Sequence, residues 1–407
     1  MNKKLGLAVA GAVMAFGASA ANAGIIIPAG DWTIDIGGNV NTYYTNTRFS
    51  GDAFDGIGKA NQVSTGLLPS ALGIGGKTRQ NDLDIAFQFT FFVGANSESG
   101  FGTTGSASPN GPITQSRAGD GNSINVRQAY LTFGDASWGT IKAGRDLGLF
   151  GSDAILSDMT LLGVGVGAGG PGNSTLGRIG SGYVYADWIG QIQYASPNWN
   201  GFSFAVAARE GLRNNLNSIA AEDSKLGFDG KVSYEWTGDV SGKIWAGYIT
   251  QKHEGGASVD GTGAAIVVDN YTSRGYDIGG KINIADFGLV GYYYDGKGLD
   301  IQTGGQLGGL QFLSGQKTDD KGGYVQGTYK LPGVGTKLGL SYGISKSEAR
   351  DDTFDRENKS WIVGAYHPLT KSLNLVAEYA NQKLENNVAG GLDGKAKTIS
   401  LGAILFF

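Results

Sequence analysis

The sequence predicts an all-β transmembrane barrel of sixteen antiparallel strands with short turns at one rim and long loops at the other. Three observations predict it: period-two alternation of apolar and polar residues along most of the chain, regular alternation of short and long links, and a composition rich in glycine and aromatics. Glycine supplies 71 of 407 residues, about 17% against a typical ~7%. With 8 Pro, 18 Tyr, 18 Phe and 7 Trp, that excess suits closely packed strands that turn often, rather than collagen or a disordered linker.

The alternation is plainest near the end of the chain. Ile399, Leu401, Ala403, Leu405 and Phe407 share one face, with Thr398, Ser400 and Gly402 on the other. Leu226, Phe228, Val232, Tyr234 and Trp236 alternate with Lys225, Asp229, Lys231, Ser233 and Glu235 in the same way. Strands are predicted near 32–44, 63–75, 82–93, 123–134, 138–145, 185–196, 200–210 and 225–236 in the first half. The second half carries them near 240–251, 272–284, 287–297, 321–331, 336–347, 358–368, 372–382 and 396–407. Most are long enough for a tilted strand to cross ~25 Å of hydrocarbon. The second is the poorest, because Pro69 interrupts it.

Short links near 76–81, 135–137, 197–199, 237–239, 285–286, 332–335 and 369–371 alternate with long ones, among them 94–122, 146–184, 298–320 and 348–357. Hydrocarbon offers no partner to an edge N–H or C=O, so a spanning sheet must close on itself. The apolar face then meets lipid and the polar face meets water. Sixteen strands are too many for side chains to fill the interior, which leaves an aqueous channel.

The chain begins Met1-Asn2-Lys3-Lys4, runs through small and apolar residues from Leu5 to Ala20, and reaches Ala21-Asn22-Ala23 before Gly24. This reads as a cleaved secretory signal at 1–23, with a single barrel domain at 24–407. Removing 1–23 moves the charge from 32 − 36 = −4 to 30 − 36 = −6. A mildly acidic chain without a basic run argues against nucleic-acid binding. No cysteine and two histidines argue against disulfides, zinc and histidine-dependent catalysis. Neither an enzyme nor a cofactor is expected.

Residues 124–148 carry a resemblance. Asn125-Val126-Arg127-Gln128-Ala129-Tyr130-Leu131-Thr132-Phe133-Gly134, then Gly139-Thr140-Ile141-Lys142-Ala143-Gly144-Arg145-Asp146, are similar to paired segments of the Gram-negative general diffusion porins. Ala195-Ser196-Pro197 ahead of Gly201-Phe202, and the terminal Phe407, fit the same family. The resemblance implies a homotrimer of passive pores for small hydrophilic solutes and ions, seated in the outer membrane among lipid and lipopolysaccharide. It also implies delivery to the barrel assembly machinery, with Phe407 as assembly signal.

The resemblance further implies that a loop at about 146–180 folds into the lumen as the constriction. Arg127 and Arg145 match wall arginines, and Asp153 and Asp158 are the loop acids available to face them. The family's Pro-Glu-Phe-Gly-Gly element is missing from the loop, and Ala71 stands where a further wall arginine is common. Lys142, between Ile141 and Ala143, should face the lumen, whereas Arg127 shares parity with Ala129, Leu131 and Phe133 and alternation alone sends it outward. Arg178 closes the candidate set. Two acids against a thinned basic wall suggest a weak preference for cations.

Several features have blander readings. Gly165-Val166-Gly167-Ala168-Gly169-Gly170 fits a dinucleotide fingerprint but runs into Pro171 with no helix to follow, so it reads as loop. Gly76-Lys77-Thr78 reads as a turn, and His253 and His367 as surface residues. The acids Asp351, Asp352, Asp355 and Glu357 could bridge divalent cations to lipopolysaccharide, but a solvated loop is the simpler reading. Two other functions compete: a channel selective for sugars or carboxylates, with Tyr292 and Tyr294 turned inward, and a secreted all-β adhesin or lectin.

Overall fold

The computed structural model describes residues 24–56, 58–95, 124–167, 174–211, 225–253, 256–259, 265–268, 270–299, 317–349 and 355–407. The expected signal at 1–23, and Asp351 and Asp352, lie outside the described residues.

The strands follow the chain as β1 (Ile25–Ala29), β2 (Trp32–Ser50), β3 (Lys59–Ser64), β4 (Ser70–Gln80), β5 (Leu83–Val93), β6 (Asn125–Asp135) and β7 (Gly139–Leu147). A long segment holding the helix α1 (Ser152–Ser157) leads to β8 (Trp188–Ala195), β9 (Phe202–Arg209), β10 (Gly227–Trp236) and β11 (Val240–His253). A small hairpin of β12 (Gly256–Val259) and β13 (Ala265–Val268) precedes β14 (Tyr271–Ile284), β15 (Phe287–Lys297) and β16 (Thr318–Lys330). The chain ends in β17 (Lys337–Ala349), β18 (Asp355–Pro368), β19 (Leu373–Asn386) and β20 (Gly394–Phe406).

Sixteen of these make one antiparallel barrel, in the order β2, β4 to β11, then β14 to β20. The barrel closes where β20 pairs with β2, from Asn39 opposite Phe406 to Ser50 opposite Lys395. The short β1 folds back on the foot of β2, and Gly38 exchanges both backbone hydrogen bonds with Phe407 just above it. Closure satisfies every edge that hydrocarbon could not. Alternation sorts the faces as expected. On β20, Ile399, Leu401 and Leu405 are exposed outside, while Thr398, Ser400 and Ile404 are buried inside.

Two details differ from expectation. The predicted strand at 63–75 is two strands, because β3 stops at Ser64 and β4 starts after Pro69, whose missing N–H cannot continue a ladder. Gly76-Lys77-Thr78 lies inside β4, not in a turn. The turn is Asn81-Asp82, with φ of 47° and 62°, the left-handed pair that suits the twist of a two-residue hairpin.

Candidate functional site

The lumen is shaped by the described residues between Leu147 and Trp188, 148–167 and 174–187, which fold inside the barrel. Gly151 adopts φ 74°, a left-handed turn that directs the chain into α1. A 3-10 turn, Met159–Leu162, follows, capped by Asp158, whose Oδ1 accepts the Thr160 N–H at 2.9 Å. The apolar side chains of the segment make a core within the barrel. Phe150, Ile155, Val166, Ile179 and Tyr183 pack against Trp245, Ile249, Tyr292, Tyr294 and Tyr324 of the wall.

Polar ties hold the segment to β10, β11, β14 and β16–β19. The Gly151 N–H donates to Asp277 at 2.9 Å, and Met159 N–H to Gln326 at 2.8 Å. Glu378 of β19 accepts the N–H groups of Val164 and Gly165 at 2.8 and 2.7 Å, and the Tyr366 hydroxyl at 2.6 Å. Tyr324 donates its hydroxyl to the Ala154 carbonyl at 2.7 Å. Each tie satisfies a backbone group that a buried irregular segment would otherwise leave stranded.

The charged residues are placed as follows. Asp153 is buried between two wall lysines, 2.8 Å from Lys231 and also paired with Lys243. Burial alone would raise its pKa, but the two lysines more than offset that and hold the carboxyl well below the usual carboxylate range. Asp158 is buried too, accepting from the hydroxyls of Thr160 and Tyr183 at 2.7 and 2.8 Å. Arg178 is fully buried, donating to the side chains of Ser341 and Ser360 on β17 and β18. Burial lowers its pKa against the opposing pull of Asp158.

On the opposite flank, Lys142 is paired with Asp146 and lies 5.0 Å from the centroid of Tyr130. Gln128 donates to Asp146 at 2.9 Å and accepts from Thr90 at 2.7 Å, giving this wall a polar lining around the Lys142–Asp146 pair.

Arg127 escapes the parity of its strand. The register between β5 and β6 shifts between Thr90 and Phe91, so Gln128 opposes Thr90, Val126 opposes Phe91, and Arg127 is the extra residue of a bulge. Its guanidinium lies 4.9 Å from the centroid of Phe92, an inward ring. With Leu67, Leu156, Ile179 and Trp188 it borders a recess of about 40 Å³ between the segment and the wall. Asp187, in a left-handed conformation at φ 57°, is within electrostatic reach of it. Burial pushes the Asp187 carboxyl up, against the pull of Arg127, Arg145 and Arg209.

The expected arrangement of Asp153 and Asp158 facing Arg127, Lys142 and Arg145 is therefore not the one observed. Asp153 meets Lys231 and Lys243, which lie on strands remote in sequence. Arg145 follows the outward parity of Ile141 and Ala143 and is exposed, in line with Ala129 and Gly190. Sequence reasoning passed over Lys231, Lys243, Asp277 and Glu378. Their inward parity was the available signal, since Lys231 alternates with Val232 and Glu378 with Tyr379. Tyr292 and Tyr294 do turn inward, but they lie beneath the folded segment and are buried. Thr336 and His367 share a 2.9 Å hydrogen bond at the rim, and Asp355 and Glu357 pair with Lys346 and Lys359.

Residues 8–387 match the Gram-negative porin family. The chain belongs to that family. It is an outer-membrane channel for the diffusion of small solutes and has no enzymatic role. No curated protein matches the sequence. Among solved structures, the porin is similar to the outer-membrane channel DcaP of Acinetobacter baumannii, at 16% identity and a TM-score of 0.64, covering 95% of this chain and 100% of that one. It is similar as well to an anion-selective porin from Comamonas acidovorans, at 17% identity and a TM-score of 0.58, covering 92% and 100%. A trimer form of OmpT from Vibrio cholerae matches at 16% identity and a TM-score of 0.53, covering 92% and 99%. At such identities the likeness concerns the fold: a closed, sixteen-stranded antiparallel barrel.

Proposed function

We propose that this porin works as a homotrimer of independent pores, each narrowed by the segment 148–187, and that it passes small hydrophilic solutes with a mild preference for anions. One observation carries the selectivity: Asp153, the acid best placed on the segment, is neutralised by Lys231 and Lys243. Asp158 is buried away from the lumen, so the basis for a cation preference is gone, while Arg127 and Lys281 remain as lumen cations. The solute path follows the β4–β9 flank, opposite the side where the segment is tied.

The trimer reading draws on the OmpT trimer form and on Arg145. Arg145 lies six residues above the foot of β7 (145 − 139), on the outer face. At ~3.3 Å per residue and ~40° tilt that is ~15 Å above the short-turn rim, where an arginine facing lipid would cost ~2–4 kcal/mol. A neighbouring subunit removes that cost. Residues 1–23 serve as the cleaved signal and Phe407 as the assembly signal in this reading.

The test is a planar-bilayer recording in a tenfold salt gradient, alongside mass determination of the detergent-solubilised protein. A reversal potential on the anion side, three equal conductance steps and a trimeric mass are expected. A cation-side potential sinks the selectivity reading, and a monomeric mass sinks the trimer.

A second reading, a channel selective for carboxylates, is favoured by the recess at Arg127. It offers one cation amid apolar walls and room for a few heavy atoms. Saturable block of single-channel current by a short carboxylate would mark it.

A further inference from the structure

The lumen receives a second insertion, this one from the wall. Between β3 and β4 the chain leaves the sheet at Thr65-Gly66-Leu67-Leu68-Pro69, and both leucines are buried inside the barrel. Leu67 joins the core that holds Ile155, Val166 and Ile179 of the folded segment, and Leu68 joins the one that holds Tyr43 and Val164. The cause is local. Pro69 cannot donate to a ladder, and Asn41 of β2 stands in for the missing strand. It accepts the Gly66 N–H at 3.0 Å and donates to the Leu68 carbonyl at 2.9 Å. Only glycine fits at 66, since a Cβ there would lie 2.1 Å from the Gly163 carbonyl oxygen.

The two insertions are bonded to each other. The Leu67 N–H donates to the Gly163 carbonyl at 2.8 Å, the Thr175 N–H to the Gly66 carbonyl at 3.1 Å, and the Ser174 hydroxyl to the Leu67 carbonyl at 2.8 Å. Between them and the wall of β5 to β8 lies the recess of about 40 Å³, room for about three waters. Leu67, Leu156 and Ile179 border it on one side, and Phe92, Leu147 and Trp188 on the other. Arg127 carries the one formal charge among its lining residues. Ser174 and Thr175 line it too, but their hydroxyls donate to the carbonyls of Leu67 and Val164.

We infer that the insertion at 65–69 is the second jaw of the constriction, and that Leu67 makes the narrowest point an apolar collar around Arg127. Such a collar selects small anions with an apolar body, of the short-chain monocarboxylate class, over strongly hydrated inorganic ones. The inference rests on the anion reading above for the sign of the charge and on the leucines for the rest.

About three waters cannot complete the shell of an inorganic anion. Chloride therefore enters against leucine and isoleucine at a desolvation cost that one guanidinium offsets in part. Butyrate presents its carboxylate to Arg127 and its propyl chain to the leucines, where release of water from apolar surface is favourable. Apolar constrictions hold back hydrated ions by drying.

The test is the bi-ionic reversal potential across a planar bilayer, with sodium chloride on one side and sodium butyrate on the other. Chloride is the faster ion in free water, so a plain aqueous pore passes it better. The parent should pass butyrate at least as well as chloride. L67N and L156N, one on each jaw, should each lower the butyrate-to-chloride ratio at least threefold and raise chloride conductance. L67M keeps the jaw apolar and should keep the parent ratio. Leu156 is half-buried and takes no part in the ties at 65–69, so L156N tests the collar even where L67N loosens the jaw.

A parent that passes chloride better than butyrate, or a ratio unchanged in both L67N and L156N, overturns the collar. The charge is measured apart, by the reversal potential in a sodium chloride gradient. A cation-side potential there overturns the charge half of the inference together with the anion reading. An anion-side potential with an unchanged ratio overturns the collar alone.

Discussion

The guanidinium of Arg127 lies over the ring of Phe92, 4.9 Å from its centroid, because one extra residue in β6 breaks the alternation of the wall at that point. A bulge re-aims a side chain without altering the strands on either side. Here it converts a residue of outward parity into the cation of the lumen recess.

Replacing Arg127 with Ala should move the reversal potential in a salt gradient toward the cation side. A unit charge ~4–8 Å from a permeating ion contributes about 2–4 kcal/mol at an effective dielectric near 20, enough for a severalfold change in selectivity. The shift should shrink at 1 M salt, where the screening length is ~3 Å. An unchanged potential at low salt would place Arg127 outside the ion path.

Asp153→Asn frees Lys231 and Lys243 from their carboxylate and loosens α1 from the wall. The expected result is a larger single-channel conductance and a stronger anion preference. The carboxyl is held below its ordinary value, so the clamp contributes stability above the unfolded carboxylate range, near 4, and is lost only as pH falls through the lower folded value. Conductance of the parent should therefore show no clamp-related step between pH 8 and pH 5. Such a step, absent in Asp153→Asn, would contradict this.

Asp187 behaves in the opposite sense. Burial raises its pKa, so it takes up a proton earlier than a free aspartate as the solution is acidified. That removes a negative charge beside Arg127, and the anion preference of the parent should rise with acidification. Asp187→Asn should show the raised preference already at neutral pH and little further change. A parent curve that parallels the variant would assign the effect elsewhere.

Glu378→Ala leaves the N–H groups of Val164 and Gly165 and the Tyr366 hydroxyl without their acceptor. Each stranded group costs about 1–3 kcal/mol, reduced by whatever water enters. Limited proteolysis should cut the 163–180 region faster in the variant while the barrel stays resistant. Glu378→Gln, which keeps one acceptor oxygen, should lie between the two.

The barrel was legible because its determinant is local and repeated. A period of two needs no knowledge of which strand lies beside which, and closure follows from the solvent. The lumen was not legible to the same degree. Asp153 was visible as a loop acid, but its partners Lys231 and Lys243 sit 78 and 90 residues away, joined only by the fold. Alternation alone sent Arg127 outward, because its bulge carries no glycine or proline to announce it, whereas motif similarity had matched it to a wall arginine. Arg145 was readable from alternation, since Ile141 and Ala143 share its parity, and motif similarity pulled it the wrong way. Pro69 was noticed as an interruption, yet the ladder resumes directly after it as β4, one strand later than expected.

The pairing of Asn39 with Phe406 joins residues 367 apart (406 − 39). Bringing chain ends together over that length costs about 5 kcal/mol of loop entropy by the (3/2)RT ln n rule. Until that contact forms, the sheet has two open edges that hydrocarbon cannot satisfy. Insertion of this barrel is thus all-or-none, since a sheet one pairing short of closure leaves both margins bare to lipid.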